Sequence, residues 1–179
     1  MSDPVAEHRA YAPDRVAFGV VTVSSSRTLD DDDSGHRIEE LAVAAGMNVA
    51  ERLIVDDEVA AIRGVLQALL SRDDVDAIVV NGGTGYSPGD VTPEAVHSLL
   101  DEEIPGFGEL FRVLSYQEIG AAAMLSRAFA GVAHGRPVFV LPGSPKAVAL
   151  AMETLILPEV AHLLGQLRRD DGGKGEREG

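Results

Sequence analysis

VDAIVVNGGTGYSPGDVTPEA, Val75 to Ala95, is the stretch that decides the fold. Its first third is apolar and β-branched, as in a strand covered on both faces. Its last third predicts a helix start: Thr92 is a candidate N-cap, Pro93 falls at the first helical position, and Glu94 adds a carboxylate to the first turn. Between them lie Gly82, Gly83 and Gly85, with the hydroxyls of Thr84 and Ser87. Such a loop is either a plain turn or a nest whose backbone amides approach phosphate oxygens. It lacks the GKS or GKT ending of a Walker A loop and does not fit the dinucleotide fingerprint.

Outward from this stretch the same alternation repeats. VAFGVVTVS, Val16 to Ser24, and MNVAERLIV predict two more strands. SGHRIEELAVAAG places Ile38, Leu41, Ala42 and Ala45 at helical spacing, with Ser34 a candidate N-cap and Gly46 a stop. EVAAIRGVLQALLSR is an amphipathic helix with Ile62, Val65, Leu66 and Leu69 on one face. The order β-α-β-α-β implies an α/β protein: a parallel sheet with right-handed crossovers and helices on both faces. Farther on, VTPEAVHSLLDE is expected to be helical throughout. IPGFGELFRVLSYQEIGAAAML is expected to form short helices, and SRAFAGVAHGRPVFVLPG two strands joined near His134 and Gly135. SPKAVALAMETLILPEVAHLLGQL is expected to be helical, with Pro158 breaking or kinking it. Residues 1–15 are expected to be a flexible N-terminal segment, 16–169 one domain, and 170–179 a disordered tail.

Ligands of open parallel sheets sit beyond the carboxyl ends of the strands. Four loops should therefore gather there: SSSRTLDDDDSG, the pair Asp56 and Asp57, GGTGYSPGD and PGSPK. Asp90 beside a phosphate nest suggests an intervening divalent cation, or else a cap for the next helix. Asp56 and Asp57 allow a second carboxylate at such a cation, or simple strand-end solvation and capping. Asp30, Asp31 and Asp32 read as solvated surface. Gly143 and Ser144 precede a predicted helix, and Lys146 adds a charge in a chain whose only other lysine is Lys174. Arg27 could reach a phosphate or pair with nearby acids. Arg112 and Arg127 are weaker candidates, and the five histidines show no metal-ligand spacing.

Composition excludes several classes. A net charge of -14 argues against nonspecific nucleic-acid binding, which needs phosphate-neutralising cations. With no cysteine there is no disulfide framework and no thiol nucleophile. The polar first residues resemble no signal peptide, and no apolar run reaches the roughly 20 residues of a membrane span, so the expectation is a soluble cytoplasmic protein without membrane contact. Excess acid with two lysines suits either a high-salt cytoplasm or merely skewed codon usage. The first reading predicts a melting temperature that rises in molar KCl; a flat or falling melting curve would refute it.

TVSSSR, DDSG, VDD, NGGTGYSPGDVTPEA, the PGFGELFR to AAAMLSRA segment and LPGSPKAV occur in the order seen in the MoaB/MogA family of molybdenum-cofactor biosynthesis proteins, the molybdopterin adenylyltransferases, which the chain resembles over roughly Val16 to Leu164. The resemblance implies a three-layer α/β/α sandwich with a mostly parallel central sheet, the molybdopterin-binding-like fold. It implies transfer of AMP from ATP to the terminal phosphate of molybdopterin, with Mg²⁺, in a homo-oligomer, a trimer or a hexamer. By the same resemblance the catalytic and metal-binding aspartates fall on Asp56 and Asp90. Phosphate or substrate contacts fall on Ser24, Ser25, Ser26, Arg27, Gly82, Gly83, Thr84, Gly85, Gly143, Ser144 and Lys146, and Glu94 helps order the site. Many relatives carry arginine before the loop aspartate, where this chain has Gly89. Two alternatives stand beside this one: a noncatalytic molybdopterin-binding paralogue and a CinA-like nucleotide pyrophosphatase.

Overall fold

A computed structural model describes Pro13 and residues 15–172. Six strands form one sheet: β1 (Ala17–Val23), β2 (Asn48–Val55), β3 (Ala77–Asn81), β4 (Glu102–Glu103), β5 (Phe129–Ala133) and β6 (Arg136–Leu141). Their order is β2-β1-β3-β6-β5-β4. β1 runs parallel to β2 and β3, and β3 parallel to β6, whereas β5 is antiparallel to β6 and to β4. The expected parallel sheet is thus extended by an antiparallel flank. That flank comes from the tight β5–β6 connection, where His134 and Gly135 both take positive φ and reverse the chain.

The helices are α1 (Asp33–Ala44), α2 (Val59–Leu70), α3 (Thr92–His97), α4 (Pro105–Ile119), α5 (Pro145–Ala151) and α6 (Leu157–Gly172). Both sheet faces are covered. Ile38 and Ala42 of α1, Phe107 and Phe111 of α4, and Val148, Met152, Ile156 and Leu164 pack on Phe18, Val20, Val79 and Phe139. On the other face Ile62, Leu66 and Leu69 of α2 and Val96 of α3 pack on Val21, Val23, Ile78 and Val80. The strands alternate between these two apolar layers, which is why they read as continuous hydrophobic runs.

Several boundaries differ from the sequence-based expectation. α3 stops at His97, and Ser98 returns its hydroxyl to the Ala95 carbonyl at 2.7 Å. The segment expected as short helices is one 15-residue helix, α4, followed by a 3₁₀ segment at Gly120–Leu125. Pro158 does not end the last helix. A π-helical stretch, Met152–Ile156, joins α5 to α6 without a break, and this widened turn directly ahead of Pro158 accommodates a residue that has no N–H to give the helix. Residues 170–172, expected as tail, are helical; the rest of that tail and most of the expected N-terminal segment lie outside the described residues. Pro145–Arg168 is, against expectation, long and apolar enough by composition to cross a membrane, with a mean hydropathy of 1.6 over its most apolar 18-residue window. Its apolar face, from Val148 to Leu164, is part of the core against the sheet.

Candidate functional site

The four parallel strands bring the four expected loops to one edge, and the glycines there show how closely they meet. Gly82 leaves β3 with φ +94 and donates its amide to the Leu141 carbonyl of β6 at 3.1 Å. A Cβ on Gly82 would press into the Val23 carbonyl of β1, and one on Gly143 would stand 3.0 Å from the Gly82 Cα. Ser34, buried at the start of α1, donates its hydroxyl to the Gly143 carbonyl at 2.9 Å. Loops after β1, β3 and β6 therefore form one packed surface. Ser144 accepts from the Ala147 amide at 3.2 Å as the N-cap of α5, and Lys146 is exposed beside it.

The glycine loop is braced internally. Asp90 does not cap α3: its carboxylate turns back to accept the Ser87 amide at 2.9 Å, and a Cβ on Gly85 would stand 2.7 Å from it. Thr92 is not the N-cap either. Val91 holds that position without a side-chain cap, while the Thr92 amide donates to the Gly83 carbonyl at 3.1 Å. That bond draws Thr92 under the loop, fully buried, and leaves its hydroxyl without a protein partner. Thr84 is also buried, whereas Gly85 and Gly89 are exposed and a Cβ on Gly89 would have no neighbour within 4 Å.

At the end of β2 the structure brings Asp57, rather than Asp56, to the site. The Glu58 amide donates to the Asp56 carbonyl at 2.7 Å, a tight three-residue turn centred on Asp57. Asp56 is left exposed, and Asp57 reaches across to Ser25. The Ser25 amide and hydroxyl both lie 2.9 Å from one Asp57 oxygen, and the Asp57 amide donates to the Ser25 hydroxyl at 3.1 Å. The other Asp57 oxygen would lie 3.2 Å from a Cβ on Gly83, so this carboxylate faces the glycine loop. Ser24 folds its hydroxyl back onto the amides of Ser26 and Arg27, both at 3.3 Å. Arg27 is exposed and donates to the Asp31 carbonyl at 3.4 Å.

Asp32 is a correction to the acidic run read as solvated surface. It is 1% exposed, caps α1 through the Gly35 amide at 2.9 Å, and accepts the Thr22 hydroxyl at 2.8 Å. The Asn81 side-chain amide donates to that hydroxyl at 2.9 Å. Asp32, not Ser34, is therefore the N-cap, and a buried Asp32–Thr22–Asn81 chain ties α1 to the ends of β1 and β3.

Arg127 is the residue that sequence pattern ranked too low. It donates to the carbonyls of Thr84 at 3.1 Å, Gly85, and Asp90 at 2.7 Å, and pairs with Glu94 at 2.7 Å. Its guanidinium lies 5.1 Å from the centroid of the Tyr86 ring. Glu94's own backbone amide, and then Arg127, hold its carboxyl below the usual glutamate range. A cleft of about 410 Å³ opens beside this pair, lined by Pro93, Arg112 and Phe129 among others.

An α/β sheet with a glycine loop, two loop-held carboxylates and a PGSPK turn at one edge belongs to a known class: residues 19–162 match the family described as a probable molybdopterin binding domain. Molybdenum cofactor biosynthesis protein B of Halalkalibacterium halodurans is 49% identical over 167 residues, 93% of this chain and 98% of that relative. A crystal structure of molybdenum cofactor biosynthesis protein B matches with a TM-score of 0.85 at 48% identity, covering 88% of this chain and 99% of that one. A tungsten cofactor synthesizing protein MoaB from Pyrococcus furiosus matches with a TM-score of 0.76 at 38% identity, covering 88% and 99%. The chain belongs to the MoaB/MogA family of molybdenum cofactor biosynthesis proteins.

Proposed function

We propose that this member of the family is a molybdopterin adenylyltransferase, transferring AMP from ATP to the terminal phosphate of molybdopterin. The observation that carries the proposal is the meeting of Asp57, the glycine loop with Asp90, and the Gly143–Lys146 turn at one sheet edge. In the transfer, a terminal phosphate oxygen of the pterin attacks the α-phosphorus of ATP. The bond to the β-phosphate breaks, and its electron pair leaves with pyrophosphate. Both reactants are anions, so catalysis consists of holding them in line and neutralising charge. Loop amides and the Ser26 and Ser144 hydroxyls donate to phosphate oxygens, and Lys146 supplies a mobile cation. Nothing in this scheme calls for a covalent nucleophile.

Mg²⁺ fits the donor set. It binds through one or two carboxylates plus substrate phosphates rather than an all-protein cage. Asp57 and Asp90 would supply those oxygens, and among the described residues no three acidic, histidine or cysteine side chains gather into a cage. Bound there, the ion would neutralise phosphate charge.

The test is to incubate the purified protein with ATP and Mg²⁺, with and without molybdopterin. Adenylylated pterin with one pyrophosphate per transfer is the expected result. ATP cleavage without pterin would assign a pyrophosphatase instead, and pterin binding without adduct a noncatalytic paralogue. The exposed Leu110, Val113, Tyr116, Ile119 and Met124 along α4 and the following 3₁₀ segment support the homo-oligomer expectation. A monomer in sedimentation velocity at micromolar concentration would refute that part.

A further inference from the structure

We propose that Arg127 is a positioning residue that shapes the glycine loop into an anion site without touching the anion. The inference deepens the proposed function and rests on it for its kinetic test. Four of the five guanidinium N–H donors are engaged: Nε by Thr84 O, one terminal nitrogen by Glu94, and the other by Gly85 O and Asp90 O. An arginine so saturated, its charge paired with Glu94 and its plane set against Tyr86, has little left to offer a phosphate. Its effect runs through the peptide planes it holds. In a trans peptide the C=O and the following N–H point in opposite directions. Drawing the Thr84 and Gly85 carbonyls onto Arg127 therefore turns the Gly85 and Tyr86 amides to the loop's far side. Among the described residues, no protein acceptor takes the Gly83, Thr84, Gly85 or Tyr86 amides. A row of unpaired amides on a glycine-rich turn is the concavity that binds phosphate oxygens.

The Asp90 carbonyl in the same grip fixes the far end of the loop, and with it the carboxylate that accepts Ser87. Lysine cannot reproduce this, because an ammonium is a point charge and lacks the planar fork that spans three carbonyls. That difference separates positioning from simple charge.

The experiment compares Arg127→Ala and Arg127→Lys with the unaltered protein in steady-state AMP transfer, in titrations with Mg·ATP, and in backbone amide exchange. Both variants are expected to lose on the order of 100-fold in kcat/KM while remaining folded. Guanidinium chloride should partly restore Arg127→Ala, and methylammonium should not. Exchange at the amides of residues 83–86 should change in both variants and revert with guanidinium. Near-normal kcat/KM in Arg127→Lys would overturn the proposal in favour of a direct phosphate contact, and near-normal kcat/KM in Arg127→Ala would overturn it outright. If the unaltered protein neither binds ATP nor transfers AMP, the proposed function fails by itself. Amide exchange then decides alone, and an unchanged pattern at 83–86 in Arg127→Ala overturns the positioning role.

Discussion

Asp57→Asn is expected to lower AMP transfer by roughly 10²–10³-fold, and Asp90→Asn by a similar factor, with the fold intact in both. Asparagine keeps an oxygen that can accept the Ser25 or Ser87 donors, so the loops stay tied while the negative charge is lost. Asp56→Asn, at an exposed position, should change the rate by less than about twofold. Single-turnover transfer and melting curves for the three variants check this together. Full loss in Asp56→Asn with normal rates in Asp57→Asn would return the role to the residue that family resemblance selected. Loss of folding in all three would instead mean that the carboxylates are structural.

The Asp56 and Asp57 pair shows where sequence stops being informative. Within β2 the side chains are set by a period of two and by the apolar layers, so strand faces can be read directly. Past Val55 no period survives. One turn bond, Glu58 to Asp56, decides which of two identical neighbours faces Ser25. The acidic run behaves the same way. Asp30, Asp31 and Asp32 are chemically identical, and only the packing of α1 against β1 and β3 makes one of them a buried cap. By contrast, the gathering of the four loops was legible, because alternation of strand and helix forces parallel strands and places their carboxyl ends together.

Arg127, a weaker candidate by sequence pattern, could have been ranked higher on topology alone. Two strands joined at His134 and Gly135 must be antiparallel, so the residues leading into β5 lie at the edge where the parallel strands end. Arg127 stands two residues before Phe129 and hence at the site. The length of α4 was hidden for a different reason. Its Pro105, Gly106 and Gly108 have low helix propensity, yet Pro105 opens the helix, and a Cβ on Gly108 would stand 2.8 Å from the Ala128 carbonyl. Burial of Phe107 and Phe111 outweighs the low helix propensity of these glycines, of order 1 kcal/mol each.

Gly82→Ala should damage the protein more than any other single loss of a glycine in this loop, and Gly89→Ala should be nearly silent. Gly82 sits at φ +94, in a region costly for any residue with a Cβ, and the added atom would press into the Val23 carbonyl. Strain of about 1–3 kcal/mol and overpacking of similar size combine to about 4 kcal/mol. For a domain of this length that corresponds to a fall in melting temperature of about 10 °C. Relief would require β3 to part from β1, or Gly82 from Leu141 and Gly143, and either movement displaces the loop that carries Asp90. Transfer should therefore fall by roughly 100-fold even below the melting transition. At Gly89 the backbone is ordinary and the space open, so alanine should stabilise slightly, by about 0.4–1 kcal/mol through the unfolded chain. Thermal unfolding of the two variants side by side is the check. If Gly82→Ala melts within a degree or two of the unaltered protein, the loop is not pinned where β1, β3 and β6 meet, and its fixed amide geometry cannot be the basis of phosphate binding.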